Sequence, residues 1–179
     1  LFFRKNNYYV GDSTMFNYYG FTEQLFQAVY VLNTTVRMKR IICGISYKFI
    51  RIPESRIYGL DIIKIKDTDV MVSSKERTLI DLLYFNQPVG GINNAVEAFK
   101  KCVVEKKCDI NKHVQYAARF SNITTRKRIG LILEDAGLAD VVLEPLADSV
   151  KKTSISSFNG SRKGMLNKKW RVIVNDPQE

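Results

Sequence analysis

The chain has 179 residues, enough for one domain to bury on the order of 70% of its unfolded surface without a disulfide or metal staple. Its 45% apolar and 26% charged residues exclude a disordered chain, and 28 basic against 18 acidic residues leave +10, which predicts affinity for a polyanion or an acidic surface. Three cysteines and one histidine exclude a disulfide framework and a zinc quartet, and no apolar run approaches the ~20 residues of a membrane helix.

In chain order, residues 1–10 are aromatic and basic and already strand-like at Leu1, so the sequence reads as a fragment whose N-terminal part has been removed. Asp12 is placed to cap a short helix with Met15, Phe16 and Tyr19 on one face, stopped by Gly20. Residues 28–32 form a β-rich run, and residues 33–39 a polar turn. From 40 to 52 the alternation of Ile45, Tyr47 and Phe49 with Ser46 and Lys48 predicts one strand, bent or bulged at Gly44 and ended by Pro53. Residues 61–66 alternate again and are expected to pair with 70–72 across Asp67-Thr68-Asp69.

The pattern then becomes helical. Ser73 and Glu76 stand at capping-box spacing ahead of Leu79, Ile80, Leu82 and Leu83. Ile92, Ala95, Val96, Phe99, Cys102 and Val103 fall at i, i+3, i+4, i+7, i+10 and i+11, the clearest helix of the chain. Asp109 is expected to cap a third helix running to Phe120, and Asn122 or Thr124 a fourth that ends at Gly137. A short helical turn is expected after Pro145. Residues 154–164 are too polar to pack by themselves, and 169–174 are expected as a last strand with Trp170, Val172 and Val174 on one face. Strands, then helices, then a returning strand predict an α+β fold: a mixed sheet with a helical cluster packed on one side and a returning C-terminal strand.

Three patterns raise catalysis as the alternative reading, a metal-dependent nuclease or a nucleotidyltransferase-like enzyme. Asp67 and Asp69 are spaced like a metal-binding pair on a strand, but a polar hairpin turn is the favoured reading, since Gly11-Asp12-Ser13, the nearest phosphate-cradling candidate, lies far upstream. Glu105-Lys106-Lys107 contains E-x-K, with Asp61 as its conceivable partner, yet it follows a helix, where two lysines complement the dipole. His113 borders an apolar helix face and has no nucleophile motif beside it. No phosphate-binding loop is present, no cofactor is expected, and no catalytic or metal residue is assigned.

The basic clusters carry more information. Arg126-Lys127-Arg128 occupies a helix's first turn, where cations oppose the dipole and so serve the helix poorly. Residues 151–171 hold Lys151, Lys152, Arg162, Lys163, Lys168, Lys169 and Arg171 without an acidic residue. The plainer alternative is a solvated face with a disordered loop. The predicted surface for nucleic acid or a partner is Arg126, Lys127, Arg128, Arg162, Lys163, Lys168, Lys169 and Arg171.

Several segments, in the right order over nearly the whole chain, resemble the AbiEi family of antitoxins and predicted transcriptional regulators. They are Tyr8-Tyr9-Val10-Gly11-Asp12-Ser13, Tyr18-Tyr19-Gly20-Phe21-Thr22-Glu23-Gln24, and the helix start around Glu76-Arg77-Thr78-Leu79-Ile80-Asp81. Arg128-Ile129-Gly130-Leu131-Ile132-Leu133-Glu134 and Trp170-Arg171-Val172-Ile173-Val174-Asn175 complete the set. The resemblance implies a single C-terminal antitoxin domain over residues 1–179, with 151–168 a flexible basic segment. It implies a non-catalytic domain that counteracts an AbiEii-type nucleotidyltransferase toxin, functionally if not physically. The full-length protein would repress transcription through an N-terminal winged helix-turn-helix, bound to operator DNA and lying outside these residues. A cytoplasmic location and no membrane partner go with it.

Overall fold

The computed structural model describes residues 7–174. Within them lie six helices, a six-stranded mixed sheet and a three-stranded sheet, an α+β fold as the order of sequence patterns predicts. The strand-like reading of residues 1–10 extends to residues 1–6, which lie outside the described residues, as does Asn175.

The chain divides into two units, Leu1–Phe99 and Lys100–Glu179, where the sequence predicted a single domain. In the first, β1 (Tyr8–Val10), β2 (Ala28–Asn33), β3 (Met38–Ile42), β4 (Ile45–Arg51), β5 (Leu60–Ile65) and β6 (Thr68–Ser73) are ordered β3-β4-β2-β1-β6-β5. Strand β2 runs parallel to β4 and β1 parallel to β6, while the remaining pairs are antiparallel. Because side chains alternate along a strand, this register sorts the residues into two faces. Tyr9, Leu32 and Ile50 project to one side, where they pack with Ile52, Ile57, Leu60, Met71 and Phe85 into a core. Val10, Val31, Phe49 and Val72 form a row on the other.

Two helices belong to this unit. Helix α1 (Ser13–Tyr18) starts at Asp12, whose side chain accepts from the Ser13 amide, and it buries Met15 and Phe16. Helix α2 (Lys75–Tyr84) is capped by Ser74, which accepts from the Arg77 amide, one residue later than the expected Ser73. Ser73 instead bonds Thr78 through its hydroxyl at 2.7 Å. The expected single strand over 40–52 is a hairpin. Cys43 and Gly44 both hold positive φ, 50° and 76°, and a two-residue turn of that hand reverses the chain. The next hairpin turns at Lys66-Asp67, with Ile65 opposite Thr68, so Thr68 and Asp69 are strand residues and not the turn expected of them.

Helix α3 (Ile92–Val104) crosses the division between the units. Beyond it, α4 (Ile110–Ala118) is capped by Asp109, which accepts from two backbone amides, and α5 (Ile123–Asp135) by Asn122. Helix α6 (Asp140–Val150) runs straight through Pro145, which was expected to precede the helical turn. The buried Leu143, Leu146 and Val150 hold it on one face, while Pro145 lies on the exposed side. The returning strand forms its own sheet instead of joining the first. Strands β7 (Ser156–Ser157), β8 (Met165–Asn167) and β9 (Val172–Val174) are ordered β7-β9-β8, so part of the polar 154–164 segment is paired. Lys168 to Arg171 are the turn of the β8–β9 hairpin. Trp170 therefore reaches the core from a turn, not from a strand.

Trp170 is fully buried and lies flat against α5 at Gly130. A Cβ on Gly130 would stand 2.1 Å from the indole, so only glycine admits the ring there. The indole N–H donates to Glu134 at 2.8 Å, one turn further along the same helix, and the Trp170 amide donates to Asn167.

Candidate binding surfaces

The predicted cationic residues fall into two groups. Five hold the second unit together. Arg126 donates through Nε to the Phe120 carbonyl and through Nη1 to that of Ser149 at 3.4 Å. Lys127, fully buried, donates to the carbonyls of Ser154 and, at 3.3 Å, Arg171. Burial, reinforced by Arg171, pushes its ammonium below the ordinary lysine value. Arg128 donates to the Phe158 carbonyl at 2.7 Å with its guanidinium 5.9 Å from that ring, and burial lowers its pKa. Arg171 donates to the carbonyl of Thr153. Lys169 bridges Asp140 at 2.6 Å and Glu134 at 2.5 Å, and these two hydrogen bonds raise its pKa.

These are braces, and for Lys127 the prediction of a surface contact is corrected outright. The loop after α6 and the small sheet have many backbone carbonyls and few regular partners, and cations on α5 supply the donors. The helix start carries three basic residues because the loop needs donors there. Arg162, Lys163 and Lys168 are different. They are exposed, as are Lys151 and Lys152.

In the first unit a buried charge network, which composition does not reveal, joins β1 to α2. Arg77 and Asp81 are both fully buried and meet at 3.0 Å, one helical turn apart. Arg77 also donates to the Tyr9 hydroxyl at 2.8 Å, that hydroxyl lies 3.3 Å from Asp81, and the guanidinium stands 4.9 Å from the Tyr58 ring. Burial raises the pKa of Asp81 against the pull of Arg77. Asp12, with φ 54°, is buried as well. Burial drives its pKa up to about 8, against the Ser13 amide and with help from Asp81. The legible signal was the i, i+4 spacing of Arg77 and Asp81 around Leu79 and Ile80. Sealed on all sides, the network ties sheet to helix.

The acidic and histidine candidates are scattered. Asp67 sits in a hairpin turn, and Asp69 lies on β6 opposite Lys64. Glu105 pairs with Lys107 at 2.9 Å just past α3. His113 is buried on α4. Among the described residues no three His, Cys, Asp or Glu side chains gather as a metal-binding group.

The most conspicuous surface was not foreseen. Among the described residues the sheet face opposite the core of the first unit is open, and it curves around a groove of about 850 Å³. Val10, Val31, Phe49 and Val72 line its floor; Met15 and Tyr18 of α1 stand at one end, and Ile42 and Ile65 at the two edges. Tyr47 and Phe49 stack along β4, ring centroids 6.2 Å apart. Ile42 and Ile65 are 44% and 54% exposed, so the apolar surface runs out to the rims. The signal was in the sequence: strands β2, β4 and β6 carry apolar residues on both alternating faces, which one packed face does not require.

No family model matches the chain, and no curated protein matches it. In structure it is similar to the RV2827C protein from Mycobacterium tuberculosis, with a TM-score of 0.57 at 10% sequence identity. The likeness covers 94% of this chain and 62% of that one, so the chain spans less than two thirds of that protein's length. At that identity the likeness is one of fold alone.

Proposed function

We propose that the chain is a non-catalytic binding domain of the AbiEi antitoxin kind, one that counteracts an AbiEii-type nucleotidyltransferase in the cytoplasm. The observation that carries the binding half of this reading is the open apolar groove on a sheet whose reverse face is already packed. A six-stranded sheet gains nothing in stability from leaving valine, isoleucine, tyrosine and phenylalanine toward solvent, and such faces mark interaction sites. The exposed Arg162, Lys163 and Lys168 supply an auxiliary surface for phosphates. The antitoxin half rests on the order of motifs from Tyr8 to Val174. Repression at an operator would belong to a winged helix-turn-helix outside these residues. No described helix is long and apolar enough to cross a membrane, which fits this reading.

The test is co-expression with an AbiEii-type nucleotidyltransferase toxin. Growth restored by this chain alone supports the reading. Growth arrest that persists while the chain accumulates in soluble form overturns it.

A further inference from the structure

The groove also carries information about what lies in it. From Glu23 to Glu54 the sequence contains no acidic residue, yet it holds Arg37, Lys39, Arg40, Lys48 and Arg51. All five lie on the β3–β4 side of the sheet, and the register puts Arg40 beside Tyr47 and Arg51 beside Asn33 on the groove face. Arg40 and Arg51 are exposed, and Arg37, also exposed, lines a separate concavity beside Glu54. On the opposite side Lys64 of β5 lines the groove, and Asp61 stands opposite Val72. Arg40 and Arg51 thus give the β3–β4 side of the apolar floor a cationic rim. The surface continues onto the hairpin tip, where Ile45 is 48% exposed.

We propose that the groove receives an acidic amphipathic helix of a partner protein, its apolar face on Val31, Phe49 and Val72 and its carboxylates toward Arg40 and Arg51. An amphipathic helix presents apolar anchors at i, i+3, i+4 and i+7, the form that fills an elongated apolar groove. An added β-strand would pair with the edge of β3 or β5 and leave the groove open. A bilayer would meet the hairpin tip but not follow the concave floor. A second copy of the chain would bring the same arginines against these. The inference rests on the reading of the chain as a binding domain, and it adds the chemistry of the partner.

Three labelled synthetic peptides test it by fluorescence anisotropy with the full chain. The first is a 16-residue helix with leucines at i, i+3, i+4, i+7, i+8 and i+11 and glutamates on the other face. The second replaces the glutamates by lysines, and the third scrambles the first so that it has no apolar face. The first peptide is expected to bind at least ten-fold tighter than either control. Ile42→Glu with Ile65→Glu, at two exposed rim positions, is expected to weaken it at least ten-fold. Arg40→Glu with Arg51→Glu is expected to reverse the preference in favour of the lysine peptide. Circular dichroism confirms that both variants fold, and the charge swap stands as an independent test if the first does not. Equal binding of the scrambled peptide overturns the proposal, since the net charge then suffices. So does binding unchanged by the rim variants, or preferential capture by phosphatidylserine vesicles, or self-association that the rim variants abolish while no peptide binds. Growth rescue that survives Ile42→Glu with Ile65→Glu removes the groove and leaves the antitoxin reading standing. Peptide binding without any rescue does the reverse.

Discussion

The two units bury cations in opposite ways. In the first, Arg77 is matched by a carboxylate and a tyrosine hydroxyl, charge answered by charge inside a sealed core. In the second, Lys127, Arg126, Arg128 and Arg171 donate to backbone carbonyls, so peptide dipoles take part in holding their charge. The comparison teaches that a formal charge of +10 overstates what the surface offers. It also predicts that the first arrangement is brittle and the second graded. A buried ion pair fails as a unit, whereas each carbonyl brace loses one or two bonds.

The sharpest way to break the comparison is Arg77→Met, which leaves Asp81 buried and uncompensated. It is expected to cost on the order of 3–5 kcal/mol, read by urea unfolding, with much of the loss recovered in the double variant Arg77→Met, Asp81→Leu. If the single change is silent, the network is not what joins β1 to α2. Next comes Gly130→Ala, which drives a methyl group into the indole of Trp170. A loss of about 1–3 kcal/mol is expected. Trp170 is the single tryptophan, so the emission should move toward the red as the ring is displaced. An unshifted spectrum and unchanged stability would refute the packing described for that helix.

The third prediction concerns pH. Asp12 keeps its proton in the folded state up to about pH 8, whereas the unfolded carboxyl releases it near 3.8. The folded state binds more protons across that window, so the contribution of Asp12 is full below about pH 4 and is lost as pH rises toward 8. The slope is at most about 1.4 kcal/mol per pH unit, and Asp12→Asn should reduce it. A wild-type slope retained in the variant would place the titration elsewhere. The smallest effect is expected at Lys169→Ala. Asp140 is largely exposed and Lys169 itself reaches solvent, so about 0.5 kcal/mol or less should be lost, and salt should shrink that further.

Local pattern was legible wherever one side of an element meets solvent and the other meets a core. The helix over 92–104 followed from its apolar spacing, and the caps at Asp12, Asp109 and Asn122 from short polar side chains placed ahead of apolar runs. The reversal at Cys43-Gly44 was not legible as a turn, because Ile41, Cys43, Ile45, Tyr47 and Phe49 are apolar at every second position and read as one strand, whereas the register carries the face from Ile42 to Ile45. Pro145 misled in the other direction. Its effect on a helix is local, and the burial of Leu143, Leu146 and Val150 outweighs the bond it removes. The candidate surface suffered most: eight cations were expected to face a partner, but which side chains find carbonyls depends on where residues 149–158 and 171 come to lie.

The sequence by itself determined the class of fold, the order of the elements, the excess of positive charge and the apolar character of both faces of β2, β4 and β6. Tertiary structure alone decided that the chain forms two units and that the last strand builds its own sheet. It also decided that Arg126, Lys127 and Arg128 turn inward and that one apolar sheet face remains open. The physical reason is range. Propensity, capping and alternation act within a few residues, whereas the partner of a buried charge and the occupant of a sheet face are set by segments tens of residues away.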